Sequence, residues 1–329
     1  MNHPLFRELG MKYPLIMAPM FLVSNEPMMK AAIRAGIAGT FPSLNYRKEG
    51  ELPALLDRLN ETVAQQGQGT YGVNLIVQKT NPLYKKHLDA CVAAKVPFYI
   101  TSLGNPKEVI EAAHSYGGKV ICDVTNMEHA QKAVQHGADG LIAVCSGAGG
   151  HAGPYPMHVL IPALKKAFPH IPVIAAGGIA TGQQMASAMV LGADMVSVGT
   201  RFIASLEATV SEEYKQAIVD HGMEDIVLTE RLSGTPCNII NTPEAKKMGY
   251  KQSAWEKWLA RNPRTKKYYK MMVQLKGMKK LQKAVKPGNY AHLWSAGQSV
   301  EMVDDIIGVE EIVARLVHEY DQSLLAFKS

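Results

Sequence analysis

Three glycine-rich stretches carry the residue types best suited to chemistry. Gly147-Ala148-Gly149-Gly150-His151-Ala152-Gly153 holds one histidine. Ala176-Gly177-Gly178-Ile179 and Gly199-Thr200-Arg201-Phe202 hold small residues and a hydroxyl. Near neutral pH an imidazole can remove or supply a proton, and the glycines around His151 would let a flat ring lie against the backbone. The two later stretches suit a phosphate. Glycine lets the chain approach phosphate oxygens closely, Thr200 offers a hydroxyl, and helices opening there favour negative charge. The plainer readings are glycines that merely end strands and a loop histidine that only hydrogen-bonds.

Each stretch follows a short apolar run, so each sits where a buried strand gives way to a loop. Such runs occur near 14–18, 37–41, 71–76, 97–101, 119–124, 139–144, 172–176 and 194–198. Between them, segments 28–35, 55–63, 82–94, 107–115, 128–135, 158–168 and 183–191 space their apolar residues as helices do. Glycine recurs where a helix hands over to a strand, as at Gly36, Gly137 and Gly192. The strands lack polar alternation, as strands covered on both faces do. Eight such units predict an α/β fold, a TIM (β/α)8 barrel, rather than a doubly wound sheet. In that barrel the site lies at the C-terminal strand ends and a phosphate sits after strands seven and eight. Those are the Gly177-Gly178 and Gly199-Thr200 loops.

Gly147 to Ala152 also fits the G-x-G-x-x-G/A dinucleotide pattern, but the context is wrong. The stretch follows the sixth strand, Pro154 and Pro156 oppose an immediate helix, and no acid occurs between His151 and Ala193 to hold a ribose. A single phosphate site points to a mononucleotide, FMN rather than FAD. No His, Asp or Glu spacing suggests a metal. His114, His129 and His136 sit in helical segments.

The chain has 329 residues, 47% apolar and 19% charged. No apolar run spans a bilayer, and the start has no signal-peptide pattern, so a soluble cytoplasmic protein is expected. The four cysteines are scattered and read as buried thiols rather than disulfide or metal partners. Cys145 is close enough to the glycine loop for a nucleophilic role, although no activating group is visible. Residues 1–222 form the expected barrel. Residues 223–290 read as a basic helical lid with Trp255, Trp258, Tyr268, Tyr269, Met271 and Met272 as packing core. Residues 291–329 return to the barrel. A helix is expected over 205–222 and another over 299–326. Residues 251–290 hold twelve Lys or Arg and one acid, Glu256. This is a solvated face or a docking site for an anionic partner such as a dinucleotide, coenzyme A or acyl carrier protein. No nucleic-acid motif accompanies the charge.

These stretches, with Pro14-Leu15-Ile16-Met17-Ala18-Pro19-Met20, Tyr71-Gly72-Val73-Asn74-Leu75 and Trp294-Ser295-Ala296-Gly297, resemble the nitronate monooxygenase family. Its relatives are the FMN-dependent NADH:quinone reductases and the FabK-type enoyl-acyl-carrier-protein reductases. The resemblance implies FMN, with Ala18, Pro19 and Met20 along the ring and Asn74 hydrogen-bonded to it. Ala148 and Gly149 would lie near the ring, and Gly177, Gly178, Gly199 and Thr200 would hold the phosphate. It makes His151 the base for neutral nitroalkanes. Asp123 would also face the cofactor, where some relatives carry a lysine. The resemblance implies oxidation of an alkyl nitronate by O2 to a carbonyl compound and nitrite. The alternatives are an NAD(P)H-driven reductase of quinones or of CoA or acyl-carrier-protein thioesters, and a non-catalytic flavin-binding module. The single proline between Ile76 and Pro82 argues against NADH use.

Overall fold

The apolar runs pair in chain order. β1 (Leu15–Met17), β2 (Ala38–Pro42), β3 (Thr70–Ile76), β4 (Phe98–Ser102), β5 (Lys119–Val124) and β6 (Gly140–Val144) lie side by side. A two-residue strand, β7 (Gly150–His151), stands outside the barrel, which β8 (Val173–Ala176) and β9 (Met195–Val198) complete. All barrel pairs are parallel, and closure sets Leu15 opposite Val196 and Met17 opposite Val198. The protein therefore has the TIM-barrel architecture its sequence predicts. This computed structural model describes residues 4–78, 81–232, 235–251 and 293–326, together with 256, 258, 272 and 273.

Side chains of alternate residues fill the barrel. Ile16, Ala38, Phe98, Ile100, Ile121, Ile142, Ile174 and Met195 form one buried cluster with Leu5, Leu9 and Met11 of the N-terminal segment. Gly72 leaves the space that the Phe98 ring occupies. The segment around α1 (Pro4–Glu8) thus plugs the N-terminal end of the barrel. A cleft of about 460 Å³ at that end is lined by Glu8, Lys95, Tyr116 and Lys119 among others. Lys119 there already pairs with Glu8 at 2.9 Å. The polar and glycine-bearing strand ends are all at the opposite mouth.

The outer layer is α2 (Glu26–Arg34), α3 (Glu51–Gln66), α4 (Tyr84–Ala93), α5 (Lys107–His114), α6 (Met127–Gln135), α7 (Met157–Ala167) and α8 (Gly182–Val190). Side chains at their starts fix several of them. Asn25 accepts from the Met28 N–H, Asn126 from the His129 N–H, and Thr181 and Gln184 form a reciprocal capping box.

After the barrel come α9 (Thr200–Ile203) and α10 (Glu212–Asp220). The helix expected over 205–222 is shorter because Ser211 caps it from its own side chain, while Ser205 bridges to Ile307. Residues 226–229 and 237–240 are strands rather than helix. β10 (Ile226–Thr229) and β11 (Cys237–Ile240) form an antiparallel sheet that β7 joins, followed by α11 (Pro243–Met248). Most of the basic segment 251–290 lies outside the described residues, as do Trp255, Tyr268, Tyr269 and Met271. The closing helix α12 (Val309–Ala326) begins later than the sequence predicts, after a 3-10 turn at Gln298–Met302 and an extended passage. It packs on α8, where Gly182 admits the α12 backbone at Leu316 and Tyr320 without a side chain between them.

Candidate active site

The barrel parity that points Ile16, Ile100 and Ile121 inward also points Ala18, Ser102 and Asp123 into the mouth two residues further on, and Asn74 likewise follows Gly72, which faces Phe98 inside the barrel. Ala18 is anchored by its N–H to the Val198 carbonyl at 2.8 Å. Beyond it, Pro19 and Met20 are half-buried. The Met20 N–H donates to Ser24 Oγ at 2.9 Å, and Asn45 Nδ2 donates to the Met20 and Ser24 carbonyls. This turn is tight enough to hold Leu22 at φ 62. Gly199 stands against it. A side chain there would meet Ala18 Cβ at 3.5 Å and Met20 Sδ at 3.9 Å.

The glycine stretches converge on one another. A Cβ on Gly147 would lie 3.1 Å from the Gly178 nitrogen, and one on Gly149 would lie 2.7 Å from the Gly297 nitrogen and 3.1 Å from Thr200 Oγ1. Gly297 donates its N–H to Thr200 Oγ1 at 3.0 Å. Gly177, at φ 107, has the Ala148 nitrogen 2.6 Å from where a side chain would begin. These close approaches explain the glycines by packing. Gly178 differs. Its φ is 76, yet a Cβ there meets nothing within 4 Å, so it faces open space at the mouth.

The start of α8 does not serve the anion role expected of it. The Ala180 and Thr181 N–H groups donate to Gln184 Oε1, and the Gly182 N–H donates to Glu319 Oε2 at 2.7 Å. The helix end is closed by protein carboxylate and amide.

His151 is not in a free loop. It lies on β7, directly opposite Cys237 of β11, with Gly150 opposite Asn238. His151 is exposed as a whole residue, but desolvation of its ring by the surrounding protein disfavours the imidazolium and pulls its pKa below the ordinary histidine value. Neutral imidazole, able to accept a proton, is thus favoured near pH 7. Sequence reasoning missed the residue that fixes this loop. Asn238, itself buried, donates from Nδ2 to the Ser146 carbonyl at 2.9 Å and to the Ala148 carbonyl at 2.8 Å. Removing it leaves buried carbonyls unpaired, so Asn238→Ala is expected to destabilise the protein by about 1–3 kcal/mol. Urea unfolding of the flavin-free protein would measure this, and a change below a few tenths would remove Asn238 as the anchor.

The sheet also secures the returning chain. Ile239 bridges Ser295, and the Ile240 N–H donates to the Trp294 carbonyl at 2.9 Å. Tyr214 stacks on Trp294 with ring centroids 5.5 Å apart and donates its hydroxyl to the Ser295 carbonyl at 2.6 Å. Gly297 is thereby pressed onto Gly147 and Gly149.

On the other side of the mouth the strand ends are polar. Asn74 Nδ2 donates to Ser102 Oγ at 2.8 Å and to the Ile100 carbonyl at 3.2 Å, and Ser102 Oγ donates to Asp123 Oδ2 at 2.5 Å. Burial pushes the Asp123 carboxyl up to about 6, against the opposing effect of the Ser102 hydrogen bond. Cys145 is no nucleophile. Its thiol donates to the Ala143 carbonyl at 3.3 Å, and burial pushes its pKa up to about 12. All four cysteines are buried and none forms a disulfide. Among the described residues no group of His, Cys, Asp and Glu could hold a metal ion, and no helix is long and apolar enough to cross a membrane.

The protein is a closed parallel barrel with glycine turns after its seventh and eighth strands and a histidine on the short strand that follows the sixth. The chain belongs to the nitronate monooxygenase family, whose model matches residues 44–319. The family is one of flavoproteins, and the protein is an oxidoreductase. Among curated relatives, it is 28% identical over 247 residues to a 5-hydroxy-7a-methyl-1-oxo-octahydro-1H-indene-4-carboxyl-CoA dehydrogenase of Mycobacterium tuberculosis. That match covers 74% of this chain and 68% of the relative. It is 34% identical over 169 residues to a probable nitronate monooxygenase of Staphylococcus aureus, covering 48% of this chain and 47% of the relative. Among solved structures, FabK from Thermotoga maritima superposes with a TM-score of 0.84 at 28% identity, covering 100% of this chain and 99% of that one. The fold is shared with a nitroalkane oxidase of Streptomyces ansochromogenes, with a TM-score of 0.77 at 22% identity, covering 98% of this chain and 99% of that one.

Proposed function

We propose that this protein is an FMN-dependent nitronate monooxygenase that oxidises alkyl nitronates with O2 to a carbonyl compound and nitrite. The observation that carries the reading is the convergence of the glycine loop that leads into His151, itself held on β7 and favoured in its neutral form, with the Gly177-Gly178 and Gly199-Thr200 turns. The residues present fit the cofactor. Gly178 opens onto free space at positive φ, and the glycine loop at 147–149 that packs on Gly178 also reaches Thr200 Oγ1. Bound there, FMN would supply the electron-transfer chemistry that the side chains lack.

The chain's own residues then have distinct tasks. Gly177, Gly178, Gly199 and Thr200 hold the phosphate. Ala18, Pro19, Met20, Ala148 and Gly149 bound the ring with small or apolar surface, and Asn74 offers its amide to the ring's polar edge. A ring nitrogen of His151 takes the proton from the α-carbon of a neutral nitroalkane. For a nitronate that arrives already deprotonated, the same residue only hydrogen-bonds the substrate oxygens. Aerobic assay with a preformed alkyl nitronate is expected to yield nitrite and carbonyl product in equal amounts. Catalytic turnover without nitrite would reject this reaction.

The second reading is an NAD(P)H-dependent reduction of a quinone or of a CoA or acyl-carrier-protein thioester. The FabK likeness over the full chain and the basic surplus of 251–290 favour it, with residues 223–290 as a lid that receives the anionic partner. Neutralising Lys266, Lys267, Lys279 and Lys280 together would then raise KM for that partner.

A further inference from the structure

Three adjacent strands end in a single hydrogen-bonded chain. β3 contributes Asn74, β4 contributes Ser102 and β5 contributes Asp123. The register that sets Thr101 opposite Cys122 brings Ser102 beside Asp123 one step later. The direction of the chain is fixed. The Ile100 carbonyl can only accept, so the Asn74 end facing it is the amine, which also donates to Ser102 Oγ. The single hydroxyl proton of Ser102 must then go to Asp123. Below the chain lie Phe98, Ile100 and Ile121, so its open side is the C-terminal mouth.

No charged side chain of the described residues compensates the Asp123 carboxylate; burial and the Ser102 hydrogen bond alone set its titration. Cys122, on the opposite face of β5, donates nothing to it and has its thiol pushed up to about 12, as does Cys145 beyond β6. His151 at the same mouth is favoured in its uncharged form. His129, on α6 behind the strand, is engaged with Thr125 Oγ1 at 3.1 Å. A carboxylate held this way is the group most easily protonated when further negative charge arrives nearby.

We propose that Asp123 is the redox-linked proton acceptor of this site, taking one proton from solvent each time the bound flavin is reduced. The inference rests on the FMN reading given above. With FMN bound, a two-electron reduction by the titrating reductant that also delivers one proton would leave the site with one added negative charge. A second proton passes from solvent to the Asp123 carboxylate, converting it to the carboxylic acid, so the charge of the site is unchanged. Reoxidation returns both protons. Asn74 and Ser102 are positioning residues that couple the carboxyl to the flavin edge. A raised carboxyl near 6 agrees with this. At pH 7 the group is mostly ionised before reduction, and an added charge within a few ångströms moves it toward protonation.

The test is the midpoint potential of the FMN-loaded enzyme, measured against a reference dye from pH 5 to pH 9. Each proton taken up with two electrons shifts the potential by about 30 mV per pH unit. Wild type is expected to fall by about 60 mV per unit, the slope for two protons, between the Asp123 pKa of the oxidised enzyme and its higher value in the reduced enzyme, and by about 30 mV per unit above that, whereas Asp123→Asn should fall by about 30 mV per unit throughout. Identical slopes in both, with FMN bound, overturn the proton assignment alone. Failure of the purified protein to bind FMN overturns the cofactor reading and this inference with it. Melting of the flavin-free protein gives a second readout. A buried acid with a raised pKa makes the folded state bind more protons, so its cost grows as pH rises through the interval between its unfolded and folded values. Asp123→Asn is therefore expected to raise Tm at pH 8 more than at pH 5. No difference between the two pH values would show that the carboxyl is not desolvated and would overturn the proposal.

Discussion

Replacing His151 with Asn is expected to lower kcat/KM for a neutral nitroalkane by about 10²–10⁴-fold, the usual worth of a positioned general base. Turnover of the preformed nitronate should fall by less than about tenfold. The asymmetry follows from what Asn keeps and what it loses. Its amide can still donate a hydrogen bond from β7, but it has no lone pair basic enough to take a carbon-bound proton. The backbone pairing of β7 with Cys237 and Asn238 does not depend on the imidazole, so the loop survives the change. The pH profile carries a matching expectation. Because the surrounding protein lowers the His151 pKa, the acid limb of the neutral-nitroalkane profile in wild type should lie below the ordinary histidine value, and it should vanish in His151→Asn. Equal losses on both substrates would end the base assignment.

The second large effect is expected at Gly178. Its φ of 76 tolerates Asn or Asp better than other side chains, and a Cβ there meets no protein atom within 4 Å. Gly178→Asn and Gly178→Asp should therefore fold alike, with nearly isosteric side chains entering the open space. Only the second places a negative charge where the phosphate would lie. We expect the Asp variant to bind FMN about 10- to 100-fold more weakly than the Asn variant, or about 1.4–2.7 kcal/mol at 1.36 kcal/mol per factor of ten. Riboflavin, which has no phosphate, should bind the two variants equally. Similar FMN affinities for Asp and Asn would move the phosphate away from this turn.

The barrel was legible because each strand is a short apolar run closed by glycine or a polar residue, as Lys119–Val124 is. The inward parity of those runs then carries Ala18, Asn74 and Asp123 to the mouth. Other parts of the site have no local signal. β7 has two residues, Gly150 and His151, and its partner β11 lies more than 80 residues on. Neither segment shows a period that would announce the pair, so His151 reads as a loop residue and 226–240 as part of a helical lid. Asn238 looks like an ordinary polar residue in an apolar run until its two bonds to the glycine loop are seen. Ser102 is equally plain in sequence, since its role depends on the register of three strands. The helix N-terminus after Gly178 misled in the opposite direction. Its amides are occupied by Gln184 and by Glu319, and Glu319 comes from the last helix of the chain.

What reduces the bound flavin decides which reaction the protein performs. The direct measurement is the flavin absorbance of FMN-loaded protein under anaerobic conditions, mixed in turn with an alkyl nitronate, NADH and NADPH. A nitronate monooxygenase is expected to bleach with the nitronate and to stay yellow with both nucleotides. Rapid bleaching by NADH or NADPH, with no reduction by the nitronate, would contradict the proposed reaction and make the protein a reductase.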